Sequence, residues 1–178
     1  ICPATDLDYD ESIEALLPYP IQVVRGERGS SHQRNAIIKV CLESDTLIFF
    51  DDDYYPSINF IAETRSLFKD ESIVVARGWL IMDGANCGGI THEQALSLIE
   101  NHPAPPVNDA VKEVYGSYGC NMIIRIYPVS KYDIKFDENL PLYGWQEDID
   151  FSRQMAPFGK VVLSRRLTGV HLATKAGR

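Results

Sequence analysis

The sequence has no apolar stretch near the ~20 residues needed to cross a bilayer, and no signal peptide is visible in it. It has no basic surplus either. The formal net charge is -8, which argues against unspecific binding to nucleic acid or to anionic lipid surfaces. Phosphorylated ligands stay open, because a bound metal inverts the local sign. The four cysteines (Cys2, Cys41, Cys87 and Cys120) are widely spaced and contain no CxxC pair. That pattern disfavours a zinc site and fits buried free thiols in a reducing cytosol. Internal repeats are absent. What remains is a chain of 178 residues, 45% apolar and 24% charged, long enough for one domain with a substantial core.

Within that ordinary composition one stretch stands out. Thr46 to Phe50 is a continuous apolar run, and Asp51, Asp52 and Asp53 follow it directly. Such a run without polar alternation predicts a buried strand. Carboxylates ~5–6 Å apart repel by roughly 3 kcal/mol at an effective dielectric near 20. A hard divalent cation relieves that repulsion through oxygen ligands, and the carboxyl end of a strand is where α/β sheets bind ligands. The competing reading is a solvated acidic turn before Pro56.

The order of elements predicts mixed α/β structure. Ile21 to Val24 reads as a strand, then a basic loop from Arg25 to Gly29, then a helix capped by Ser30 or Ser31 and running to about Leu42. After the aspartates, Pro56-Ser57 opens a second helix with an apolar stripe from Phe60 to Phe68. Ile73 to Ala76 is a buried strand that Trp79 to Met82 extends. Gly84 to Gly89 is a loop, and Thr91-His92-Glu93-Gln94 is a capping box for a helix to about Glu100. Pro103, Pro105 and Pro106 mark a surface loop. Gly119 to Ile126 predicts a strand, Gln146 to Met155 a helix, and Lys160 to Leu163 a last strand. Alternation of this kind suggests a largely parallel sheet covered on both faces.

Three further features could join the aspartates. Glu147, Asp148 and Asp150 follow Gly144-Trp145 and open a helix, where the macrodipole alone would favour them; the functional reading is a general base at a helix start. His171 follows the last predicted strand, and a lone histidine there is more often structural than a ligand. Arg34 and Asn35 lie in Gly29 to Asn35, where helix-start amides could face a phosphate or orient an aspartate.

In this order and spacing, these residues resemble the glycosyltransferases of family 2, and the resemblance runs over nearly the whole chain. It implies an α/β domain of GT-A fold spanning residues 1–178, with a mixed, mainly parallel sheet and helices on both faces. It implies an Asp-x-Asp motif at Asp51-Asp52-Asp53. Asp53 and His171 would hold Mn²⁺ or Mg²⁺. Asp51, Asp52, Arg34, Asn35 and Asn121 would bind the donor, Asp51 near its ribose or sugar. Phe136-Asp137-Glu138 and then Gly144 to Asp150 are similar to the family's "FDE … GxxED" stretch, which makes Asp148 the catalytic base with Glu147 competing for the role. Gly119 to Met122 with Arg125 looks like the floor of the sugar site, and Trp145 would stack on an acceptor sugar or pack in the core.

The implied reaction moves a sugar from a nucleotide-diphosphate donor, a UDP-sugar foremost, to a saccharide or glycolipid hydroxyl, with no nucleic-acid partner. A cation would neutralise the departing diphosphate. A carboxylate base would deprotonate the acceptor, and attack from the face opposite the leaving group inverts the anomeric centre. The implied location is cytoplasmic, with contact at the inner face of a membrane left open. Family members begin with a base-binding strand. The chain opens on Ile1, so that first strand is expected to be missing, with Asp6 and Asp8 as weak stand-ins for its aspartate. A nucleotidyltransferase of similar fold and an inactive sugar-nucleotide-binding domain are the alternatives. An inverting glycosidase leaves three contiguous aspartates and His171 unexplained.

Overall fold

The computed structural model describes residues 2–3, 19–103, 110–140 and 146–173. Readings that rest on Asp6, Asp8, Pro105, Pro106, Gly144 and Trp145 lie outside the described residues. The elements in chain order are β1 (Cys2–Pro3), β2 (Arg25–Gly26), α1 (Ser30–Val40), β3 (Thr46–Ile48), β4 (Tyr54–Pro56), α2 (Phe60–Leu67), β5 (Ile73–Asp83), α3 (His92–Glu100), β6 (Val111–Glu113), β7 (Met122–Arg125), α4 (Ile126–Tyr132), α5 (Glu147–Met155) and β8 (Lys160–His171).

One six-stranded sheet, ordered β3-β7-β5-β8-β4 with β6 paired to β8, carries the domain, and β1 and β2 form a separate parallel pair. The sheet is mixed, but the expectation of a mainly parallel sheet is corrected. β5 and β8 run parallel, whereas the β3–β7, β5–β7, β4–β8 and β6–β8 ladders are antiparallel. β4 and β6 are short strands that pair with β8 across long stretches of sequence, and β7 runs against both β3 and β5, none of which an alternating strand–helix reading anticipates.

Helices on both faces are borne out by the packing. On β7, Met122 and Ile124 join Ile38 of α1 and Phe151 and Met155 of α5. Ile123 between them joins Phe60 of α2 and Phe68 on the opposite face. The period-2 alternation of a strand thus splits one apolar run between two cores, which is why Met122 to Ile124 carry no polar alternation. Burial of each such side chain stabilises the fold by roughly 1.5–3 kcal/mol. A third cluster packs α3, through Ala95, against Val170 and Leu172.

Local structure follows the expected chemistry at several places. The Thr91 hydroxyl accepts from Gln94 N–H while the Gln94 side chain accepts from Thr91 N–H, so the capping box forms. Trp79 to Met82 does extend Ile73 to Ala76, as the single strand β5. Other boundaries move. Ile21 to Val24 is not a strand; pairing falls on Arg25–Gly26 instead. Gly29, not Ser30 or Ser31, is the cap of α1. β8 runs twelve residues, so His171 ends the strand rather than following it. Residues 119–121 form a 3₁₀ turn before β7, and α4 accommodates Pro128 in its first turn, where the missing N–H has no intrahelical acceptor to lose.

Candidate metal-binding site

The upper end of the sheet gathers the acidic motifs. β3 leads through Phe49 and Phe50 to Asp51, and a turn closed by Tyr54 N–H donating to the Asp51 carbonyl (3.1 Å) carries the chain into β4. β4 pairs antiparallel with the end of β8, so Tyr54 stands opposite His171, and Leu172 N–H donates to the Asp53 carbonyl at 2.9 Å. Two strands far apart in sequence are thereby clamped together at the aspartates.

Asp51, Asp53 and His171 each offer one ligand atom, all within 4.8 Å of one another, and together could hold a metal ion. Asp52 between them points to solvent as an exposed residue. His171 is buried, at 3% exposure. Its Nδ1 lies 2.9 Å from Asp83 Oδ1. In the neutral imidazole the carboxylate fixes the proton on Nδ1, which leaves the Nε2 lone pair facing the aspartates. Nε2 is 3.3 Å from Asp53 Oδ1 yet makes no hydrogen bond. A lone pair and two partly buried carboxylates converge there, and a cation among them would relieve their mutual repulsion. One imidazole nitrogen and two carboxylates suit Mn²⁺, and the carboxylates alone suit Mg²⁺. The residues fit the expected metal, with Asp51 joining Asp53 and His171.

Electrostatics around the group agree with that geometry. Burial pushes the Asp51 carboxyl above its ordinary value; Arg34 and His171 pull it back, and Asp53 and Asp52 push it further up. Tyr118 donates its hydroxyl to Asp83 Oδ2 at 3.2 Å and sets its ring edge-on to His171. Burial, then the Asp83 charge, raises that hydroxyl's pKa, so it stays a donor. Cys120 is buried and its thiol is likewise pushed up, first by burial and then by Asp51 and Asp83.

Arg34 joins the two acidic motifs. Its guanidinium lies 3.6 Å from Asp51 Oδ1 and bonds directly to Glu147 Oε1 at the start of α5. Ser30 adds a second bond to the same Glu147 oxygen at 2.8 Å. Through this one oxygen Glu147 ties α1 to the start of α5. Asp148 is oriented otherwise: Gly119 N–H donates to Oδ2 and Ile149 N–H to Oδ1, both at 2.8 Å. Gly119 is the junction. A Cβ there would run into the Arg34 guanidinium, and the next carbonyl, Cys120, accepts from Asp51 N–H at 3.3 Å.

Two expected donor-binding residues make bonds within the fold. Asn35 spends its amide on Phe136 O, Phe136 N–H and Glu138 Oε1, pinning the 134–138 segment to α1. Asn121 is wholly buried and bonds Gly78 N–H and the Tyr54 hydroxyl, bracing β5 against β4. Both side chains are buried. Two residues outside the expected set belong to the site, Asp83 and Tyr118. Asp83 carries the same signature as Asp51, an acid ending an apolar strand; Tyr118 carries none.

No helix among the described residues is long and apolar enough to cross a membrane. No family model matches the chain, and no curated protein matches it. Among solved structures, the crystal structure of A197 from STIV is similar at 19% identity, covering 85% of this chain and 73% of that one, with a TM-score of 0.49.

Proposed function

We propose that the chain is a metal-dependent, inverting glycosyltransferase that moves a sugar from a nucleotide-diphosphate donor to a hydroxyl acceptor. The observation that carries the reading is the buried His171 Nε2, without a hydrogen-bond partner and grouped with Asp51 and Asp53. Asp148 is tied to the same turn that contacts Asp51. Asp51, Asp53 and His171 would hold a divalent cation, which would neutralise the charge that builds on the departing diphosphate.

The chain's own residues do the rest. Arg34, drawn between Asp51 and Glu147, keeps a positive charge beside the site while fixing the start of α5. Asp148 removes the acceptor proton as the new C–O bond forms and the bond to the diphosphate breaks. The two backbone N–H donors fix its orientation, and each oxygen keeps a second lone pair for the incoming proton. Attack from the Asp148 side with departure on the opposite face inverts the anomeric carbon. A UDP-sugar donor and a saccharide or glycolipid acceptor are the partners this chemistry takes. NMR of the product of an α-linked UDP-sugar tests the stereochemistry. A β-linked product is expected; an α-linked product would remove the inverting mechanism.

A further inference from the structure

Beside the Asp83–His171 pair, a cavity of about 420 Å³ follows the upper half of β5, between Arg77 at one end and Asp83 at the other. That volume lies within the range of small-ligand sites. Trp79, Asn86 and Tyr118 complete the part of the wall that matters chemically.

Arg77 is out of place on general grounds. It lies in the central strand β5, with Met122 of β7 opposite on one side and Leu163 of β8 on the other. Its Nε is buried without a hydrogen-bond partner. Among the described residues no carboxylate pairs with its guanidinium, although the chain has 25 acidic residues against 17 basic ones. A partly buried guanidinium without a counter-charge is costly, and its planar fork suits a carboxylate or phosphate. Trp79 keeps 39% of its surface exposed, and the Arg165 guanidinium sits 5.1 Å over its ring. An amphipathic indole in a cavity wall offers an apolar face to the C–H surface of a sugar. Asn86 and the Asp83 and Tyr118 oxygens can meet hydroxyls.

We propose that this cavity is an acceptor subsite for an anionic saccharide, its carboxylate or phosphate held by Arg77 and its ring against Trp79. The assignment of that saccharide as acceptor rests on the sugar-transfer reading above; its binding does not. Six residues of extended strand span at most roughly 20 Å, so an acidic group at Arg77 sits apart from the hydroxyl presented at the Asp83 end. An acidic sugar one or more units back from the reacting residue meets that geometry, and a bare monosaccharide fills only part of the cavity.

Calorimetric titration of the chain without metal or nucleotide tests the subsite. The probes are methyl glucuronide, methyl glucoside, glucose 6-phosphate and inorganic phosphate. Both anionic sugars should bind about tenfold more tightly than methyl glucoside, the usual size of a charge-assisted contact, and inorganic phosphate more weakly than either. Arg77→Gln should abolish the preference. Trp79→Ala, on a more exposed side chain, should weaken methyl glucuronide and methyl glucoside alike and leave their ratio unchanged. Equal binding of methyl glucuronide and methyl glucoside would overturn the proposal. So would inorganic phosphate matching glucose 6-phosphate, or unaltered binding in Trp79→Ala. Because no metal or nucleotide is present, loss of the transfer reading would leave these results intact, and their failure would leave the transfer reading standing.

Discussion

Asp83 and His171 are partners across the β5–β8 ladder, and the carboxylate accepts the imidazole Nδ1–H at 2.9 Å. The pairing turns a buried histidine into an oriented one. Asp83→Asn keeps the shape but removes the charge. We expect Mn²⁺ affinity, measured by titration calorimetry, to fall by about tenfold while the circular dichroism spectrum stays the same. Unchanged affinity would mean that His171 takes no part in metal binding.

Glu147 and Asp148 are adjacent but differently employed, and their variants should separate. Glu147→Gln weakens the Arg34 pair in a nearly buried setting and should lower unfolding stability by roughly 3 kcal/mol in urea. Asp148→Asn leaves one of two backbone N–H groups without its acceptor, a loss of about 1–3 kcal/mol. Its larger effect should be on turnover, a fall in kcat of roughly 10²–10⁴-fold with nucleotide affinity retained. Parental turnover in Asp148→Asn would exclude it as the base.

Asn121 gives the converse case. With Gly78 N–H and the Tyr54 hydroxyl both bonded to its buried amide, Asn121→Ala should cost about 2–3 kcal/mol of stability. Nucleotide diphosphate affinity, measured where the variant is still folded, should be unaltered. Selective loss of nucleotide binding would return Asn121 to the donor site.

The same examples show what could be read without a structure. The apolar runs at Thr46 to Phe50 and Ile73 to Met82 and the Thr91 capping box announce themselves, because burial and capping leave local patterns. Strand direction does not. β4 is three residues long and contains Pro56, a weak local signal, and its pairing with β8 is a long-range event. Gln146, which takes a left-handed φ of 76° before α5, has no feature that distinguishes it from its neighbours. At the site, Asp53 and His171 were legible as ligand types, and the structure adds Asp51 to the same group. The duties of Asn35 and Asn121 were not legible, since an amide that clamps and an amide that binds a ligand look alike in one dimension.

Stability should fall on the alkaline side. Cys120 and Tyr54 are buried, and burial pushes both pKa values well above the ordinary ones. The unfolded chain releases these protons first, near pH 8.5 for the thiol and near 10 for the phenol by the usual reference values of about those sizes. A group whose folded pKa is raised contributes stability below its unfolded pKa and loses it as pH climbs toward the folded one. Unfolding free energy should therefore decline from about pH 8.5 upward, and Cys120→Ala should flatten the first part of that decline. In the native chain, exposed Cys87 should alkylate readily while Cys120 stays unmodified.

The central claim is that Asp51, Asp53 and His171 hold a cation that in turn holds a nucleotide diphosphate. Calorimetric titration with UDP in Mn²⁺ and in chelator tests it most directly. The account predicts binding in Mn²⁺ that weakens sharply in chelator and in Asp53→Ala. UDP affinity that is the same in Mn²⁺ and in chelator would contradict it.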